Sequence, residues 1–304
     1  MQLTQRAWPH IRRWLGTCRA VFWRACVKYD ETDGEQRAAS FAYYAFFAVF
    51  PLLVLIISVS AMFLKSPDMV ADKIAEQLRQ RLPDPEFSEH LIQTIRGVVK
   101  SRTKASLIAF VILTWSAIRF FQALVHGVNK AWGTKDYPWW RMPLKNFSMV
   151  LILASALLLG TVAPAVLNNV EFFYWRHAWE FHLDFIVVNH VFETLRYLLP
   201  PLVLFYGFTM FYKFAPRRRT LFREIWPASL LVTFGMDQLQ RLFLLFTTNV
   251  TNFNAIYGTF GSIVAFLLWI YLTGTLIIFG GCFAAAQYEI RLSLSDQSES
   301  NHPY

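Results

Sequence analysis

IWPASLLVTFGMDQLQRLFLLFTTNV (residues 225–250), the turn TNFNAIYG (251–258) and the apolar run GTFGSIVAFLLWIYLTGTLIIFGGCFAAAQ (258–287) decide the fold. A helix crosses the hydrocarbon layer with about 20 apolar residues, and both long segments exceed that. The second has no charge before Glu289. The first carries Asp237, Gln238, Gln240 and Arg241 at its centre. A charge at that depth costs roughly 2.5–3.5 kcal/mol unless it is paired or wet. The cluster is therefore either a site of action or a polar clasp that assembles the helices, and the sequence leaves both open.

Composition supports a membrane reading. Of 304 residues, 55% are hydrophobic and 17% aromatic, more than a soluble domain of this length carries. The net charge of +9 would suggest nucleic acid in a soluble protein. Beside membrane spans, basic loops on anionic lipid explain it, so lipid is the expected partner and nucleic acid is not. Cys18, Cys26 and Cys282 form no disulfide framework and are expected as free thiols. The first 40 residues lack a continuous apolar stretch, which makes the first span an uncleaved anchor.

The expected fold is all-α and polytopic, with three regions. Residues 1–40 form a cytoplasmic or interfacial segment. There Trp8, Ile11, Leu15, Cys18, Phe22, Ala25 and Tyr29 recur at helical spacing among arginines. That pattern fits an amphipathic helix on the headgroups or one packed under the bundle. Residues 41–288 hold six spans, at about 41–64, 105–128, 147–167, 195–215, 225–250 and 258–287. Between the first two, VADKIAEQLRQRL (70–82) and EFSEHLIQTIRGVV (86–99) read as short amphipathic helices of an outer loop. Residues 289–304 are a polar cytoplasmic tail, expected to be disordered from Arg291 to Tyr304. The N-terminal segment, the stretch NKAWGTKDYPWWRMPLKNF and the loop PRRRTLFRE are basic, which places both termini in the cytoplasm. Lys100, Arg102 and Lys104 argue against this orientation, but they belong to a long, charge-balanced loop.

Three stretches carry a family resemblance: RAASFAYYAFFAVFPLLVLIISV (37–59), NKAWG (129–133) and YGTFGSIVAFLLWIYLTGTLIIFGG (257–281). The chain resembles the YihY/BrkB family, the UPF0761 bacterial inner-membrane proteins once labelled ribonuclease BN. The resemblance implies an inner-membrane, multi-pass protein tied to transport of ions or envelope lipids, or to serum resistance and virulence. It also implies a glutamate near the end of the last span, where this chain has Cys282.

Arg119 lies midway along the second span and Asp237 midway along the fifth, so a pair between them is feasible. Asp237 and Arg241 could also pair along one helix. The functional reading is an ion relay or headgroup site, and the structural one is a register-fixing clasp. Gly258, Gly261, Ser262, Gly274, Gly280 and Gly281 read as a close-packing seam on the last span, or as the lining of a moving one. HAWEFHLD (177–184) holds His177, Glu180, His182 and Asp184 without a zinc spacing, so no metal is expected. Neither a phosphate-binding glycine loop nor a GxSxG elbow occurs. We expect no cofactor, no catalytic residue and no nuclease. The leading function is transport of an envelope lipid or small cation, and the alternative is a structural or assembly factor of the envelope.

Overall fold

A computed structural model describes residues 2–63, 93, 102–134, 138, 141–176, 185–249 and 260–300. Seven long helices account for nearly all of them: α1 (Gln2–Glu31), α2 (Gly34–Phe63), α3 (Arg102–Ala131), α4 (Met142–Arg176), α5 (Phe185–Phe214), α6 (Phe222–Asn249) and α7 (Phe260–Ser300). No strand occurs among the described residues. The two short amphipathic patterns and HAWEFHLD lie outside the described residues, apart from Gln93.

Each predicted span falls on one helix from α2 to α7, and most of these helices run past the apolar window at one or both ends. Hydropathy marks only the part of a helix that lipid can cover. The backbone stays helical until something competes for its hydrogen bonds. Pro164, Pro200, Pro201 and Pro227 sit inside α4, α5 and α6, which continue through them. Among the described residues, three stretches are long and apolar enough to cross a membrane: Phe110–Ala131, Leu144–Arg176 and Ile263–Ser293.

Two expectations are corrected. The polar tail is not free of structure: α7 carries on to Ser300. No proline or glycine interrupts the chain from Cys282 to Ser300, and Glu289 is tied to α1. In the second half of α1 the packed face shares Ala25 with the predicted stripe and is otherwise rotated from it. Val21, Ala25, Lys28 and Thr32 are buried, while Cys18 and Phe22 are exposed. Val21 and Ala25 pack with Ala286 of α7, and the Phe22 and Phe279 rings meet edge to face at 5.6 Å. This half of α1 is thus a packed helix. Cys18, Cys26 and Cys282 are free thiols.

The chain divides into two compact units. The first comprises Met1–Gly34, Val125–Gln238 and Leu276–Tyr304. Its fully buried side chains include Val125, Val128, Met149, Tyr212, Ile225, Val232 and Ile278. The second comprises Glu35–Leu124 and Leu239–Thr275. Aromatic rings dominate it: Phe41 on Phe120 at 4.3 Å, Tyr44 on Trp115 at 5.5 Å and Phe243 on Trp269 at 4.9 Å. Large apolar side chains such as Leu107, Ile108, Leu151, Leu158 and Val162 are exposed. That inverts a soluble protein's surface and suits lipid.

Candidate functional site

The polar residues singled out from sequence fall in both units. In α3, the exposed Arg119 guanidinium donates to Gln122 Oε1 at 3.4 Å. In α6, Asp237 is half-buried and accepts from Gln238 Nε2 at 3.2 Å. Gln240 and Arg241 are exposed further along α6. Arg119, Gln240 and Arg241 belong to the second unit, and Asp237 and Gln238 to the first.

The small residues of α7 sit at close approaches. A Cβ on Gly274 would lie 2.7 Å from the Phe41 ring and 3.4 Å from the Ala38 backbone. On Gly280 it would overlap the Tyr212 hydroxyl and a Val232 methyl. On Gly281 it would lie 2.8 Å from a Val128 methyl. α7 therefore meets α5, α6 and the end of α3 at Gly280 and Gly281. Tyr212, fully buried, donates to the Ile277 carbonyl at 2.7 Å beside that contact. Gly261 is buried, Gly258 lies outside the described residues, and the side chain of Ser262 is not described.

The first unit also holds a denser polar knot that sequence reasoning missed. It starts from the end of α3. Gly133, at φ +62°, lets the chain turn left-handed, which a side chain would resist. Gly133 N–H then reaches Lys130 O at 3.0 Å, and Thr134 N–H reaches Asn129 O at 3.0 Å. This is the Schellman ending of a helix, and NKAWGT is the sequence that makes it. The fully buried Asn129 uses its Oδ1 to accept from Thr134 Oγ1 at 3.0 Å and from Arg217 N–H at 2.8 Å. The helix end thereby docks the α5–α6 turn.

Lys28 approaches the same end from α1. Its Nζ donates to the Ala131 carbonyl at 2.8 Å and pairs with Glu289 Oε1 at 2.6 Å. A cation there suits the negative end of α3. Arg24 joins Glu289 Oε2 at 3.0 Å and Glu31 at 3.1 Å, and the bond to Glu289 raises the guanidinium's pKa. Lys130 pairs with Asp33, and Thr32 Oγ1 lies 3.7 Å from Cys282 Sγ. Arg218 is clamped between aromatic rings, 3.9 Å from the Tyr288 centroid and 4.5 Å from that of Trp132. Such stacking contributes about 1–2 kcal/mol when partly desolvated. Its guanidinium also reaches Glu224 Oε1 at 3.4 Å, while Glu224 Oε2 accepts from Leu221 N–H at 3.0 Å and caps α6. Asn129 Nδ2 and Trp132 Nε1 are buried donors with no hydrogen-bond partner among the described residues.

These contacts pair charged side chains with one another and with backbone carbonyls. No group of three His, Cys, Asp or Glu side chains that could hold a metal occurs among the described residues. The only sequence signals for the knot were the basic turn and the tryptophan-rich exit of α3. Nothing marked Lys28 or Glu289 as partners.

Comparison with known proteins adds a family. The model described as virulence factor BrkB matches residues 25–302. The chain is 25% identical over 282 residues to the ribonuclease-like protein YfkH of Bacillus subtilis (strain 168), covering 89% of this chain and 96% of that one. It is 24% identical over 281 residues to a UPF0761 membrane protein of Chromohalobacter salexigens, covering 90% of this chain and 64% of the relative. The UPF0761 membrane protein NMB0524 of Neisseria meningitidis serogroup B is 21% identical over 274 residues, covering 88% of this chain and 63% of the relative. The chain thus spans a little under two-thirds of these two UPF0761 relatives. No solved structure matches.

Proposed function

The chain belongs to the virulence factor BrkB family, among whose relatives are the UPF0761 membrane proteins, and on that premise we propose that it translocates an envelope lipid or a small cation. In this reading α2 to α7 are six spans of a bacterial inner membrane. Both termini are cytoplasmic, and the basic ends contact anionic lipid. No catalytic chemistry, cofactor or nucleic acid is involved. The ribonuclease-like name belongs to the Bacillus relative.

One observation carries the reading. Arg119, Gln240 and Arg241 are exposed on helices whose other residues suit lipid. Facing acyl chains, the two arginine charges would be heavily penalised, whereas a water-lined path or a passing headgroup solvates them. Asp237 and Gln238 extend the same polar stretch of α6.

Asp237→Asn tests this when thermal stability and liposome flux of ions and lipids are measured on one purified sample. A working site facing water tolerates the uncharged isostere, so the protein melts normally and loses flux. A sealed clasp loses roughly 3–5 kcal/mol when one buried charge is orphaned. A large fall in melting temperature, with flux per folded molecule retained, would sink the translocation site. It would favour the structural or assembly role instead.

A further inference from the structure

We propose that the turn between α5 and α6 is a headgroup site for an anionic phospholipid. The turn's geometry separates its arginines by task. Ala215, Pro216 and Thr220 are buried, and Thr220 Oγ1 reaches back to the Lys213 carbonyl at 3.3 Å. Arg217 N–H is held by Asn129. Arg218 is turned into the fold, between Trp132 and Tyr288 and against Glu224. Its neighbours Arg217 and Arg219 are left exposed, and so is Arg223, the second residue of α6.

The charge at this surface is one-sided. Glu224 is the single acid from Ala215 to Leu230, and it is buried against Arg218. The exposed face therefore presents three guanidinium groups, whose planar forks suit the oxygens of a phosphodiester.

Hydrophobic side chains say that the phosphate belongs to a lipid. Leu221 is 68% exposed and Phe222 58%. Trp226 and Leu230 follow Phe222 at steps of four along α6 and are exposed as well. Arginines at the head of a helix, above an outward face of Phe, Trp and Leu, match the layering of a membrane interface, headgroup over acyl chain. Free phosphate would use the cations and leave that apolar face without purpose. The site rests on the membrane reading above, but it does not depend on what the protein moves.

The full chain in phosphatidylcholine nanodiscs, probed by spin-labelled phosphatidylglycerol against spin-labelled phosphatidylcholine, provides the test. The native chain should prefer the phosphatidylglycerol label. The R217Q/R219Q/R223Q variant should lose at least about fivefold of that preference, the worth of one basic residue near an anionic surface. Replacing Arg12, Arg13 and Arg19 by Gln removes equal charge from the other basic face that lipid could contact and should cost a clearly smaller share of the preference. Arg219→Gln alone gives a milder version of the test if the triple variant does not fold. Retained preference in the folded arginine variants, equal losses in the two triple variants, or displacement of the label by millimolar inorganic phosphate would each overturn the site. Because the readout is lipid selectivity rather than flux, failure here leaves translocation standing, and failed translocation leaves this site standing.

Discussion

Glu289 holds two cations at once, and the two are unequal. Arg24 is well solvated, but the Lys28 side chain is 7% exposed, with Ala131 O as its other partner. Glu289→Gln should thus destabilise mainly through the stranded ammonium. Glu289 itself is 44% exposed, so water offsets part of the loss and about 1–3 kcal/mol is expected. The double variant Lys28→Met/Glu289→Gln should recover stability relative to Glu289→Gln alone. A double variant that melts below both single variants would refute the pairing. Gly280 makes a second case. Gly280→Ala drives a methyl into the Tyr212 hydroxyl and Val232, an overpacking of about 1–3 kcal/mol. Gly160→Ala meets only Val203 at 3.6 Å and should be neutral or slightly stabilising through helix propensity. Equal melting temperatures for the two alanine variants would contradict the close approach at Gly280. Neither Lys28 nor Glu289 was legible from sequence. Arg24 and Glu289 stand 265 residues apart, and only packing brings them within reach.

Helices were the most legible level, because an apolar window longer than a bilayer leaves few alternatives. Their ends were less so. The second span was placed to about residue 128, and the helix that carries it runs to Ala131, since Gly133 rather than the loss of hydropathy ends it. α7 was expected to end near 287 and continues to Ser300, where polar composition suggested disorder. The α1 stripe was drawn through Cys18, Phe22 and Ala25, and of these packing kept Ala25 and added Val21 and Lys28. A Lys on the buried face breaks a hydrophobicity count, although its partners make it a core residue. The end of α3 offers a direct test of cap over composition. Gly133→Val forces a branched side chain into φ +62° and should lose about 1–2 kcal/mol. Gly133→Asn should lose less, because Asn tolerates that region. Unfolding midpoints in detergent should rank Gly above Asn above Val, and a valine variant as stable as the native chain would dismiss the cap.

At the scale of the molecule, the knot bears on topology independently of loop charge. The end of α1, the end of α3, the α5–α6 turn and the late part of α7 touch within one unit through Lys28, Asn129, Arg218, Tyr288 and Glu289. Segments in contact share a side of the membrane. If α3, α5 and α7 finish together, then α2, α4 and α6 finish on the opposite side, which is the parity of six single crossings. The α4–α5 pair agrees: Arg196 in the first half of α5 meets Glu171 near the end of α4 at 2.5 Å. The shared side carries Arg24, Lys28, Lys130, Arg217, Arg218 and Arg219, and the proposed cytoplasmic placement of that side follows from applying the positive-inside rule to them. Lys100, with Arg102 and Lys104 in the first turn of α3, opposes this from the end of a long connecting segment, where charge counts for less than in short loops. Reporter fusions after residues 64, 180 and 255 should read outside, and fusions after 136, 219 and 302 inside. Because the knot links four segments, the inside readings must switch as a set. A mixed result, with 136 and 219 on opposite sides, would break the parity itself. A uniform inversion would keep the parity and show that Lys100, Arg102 and Lys104 outweigh the short loops.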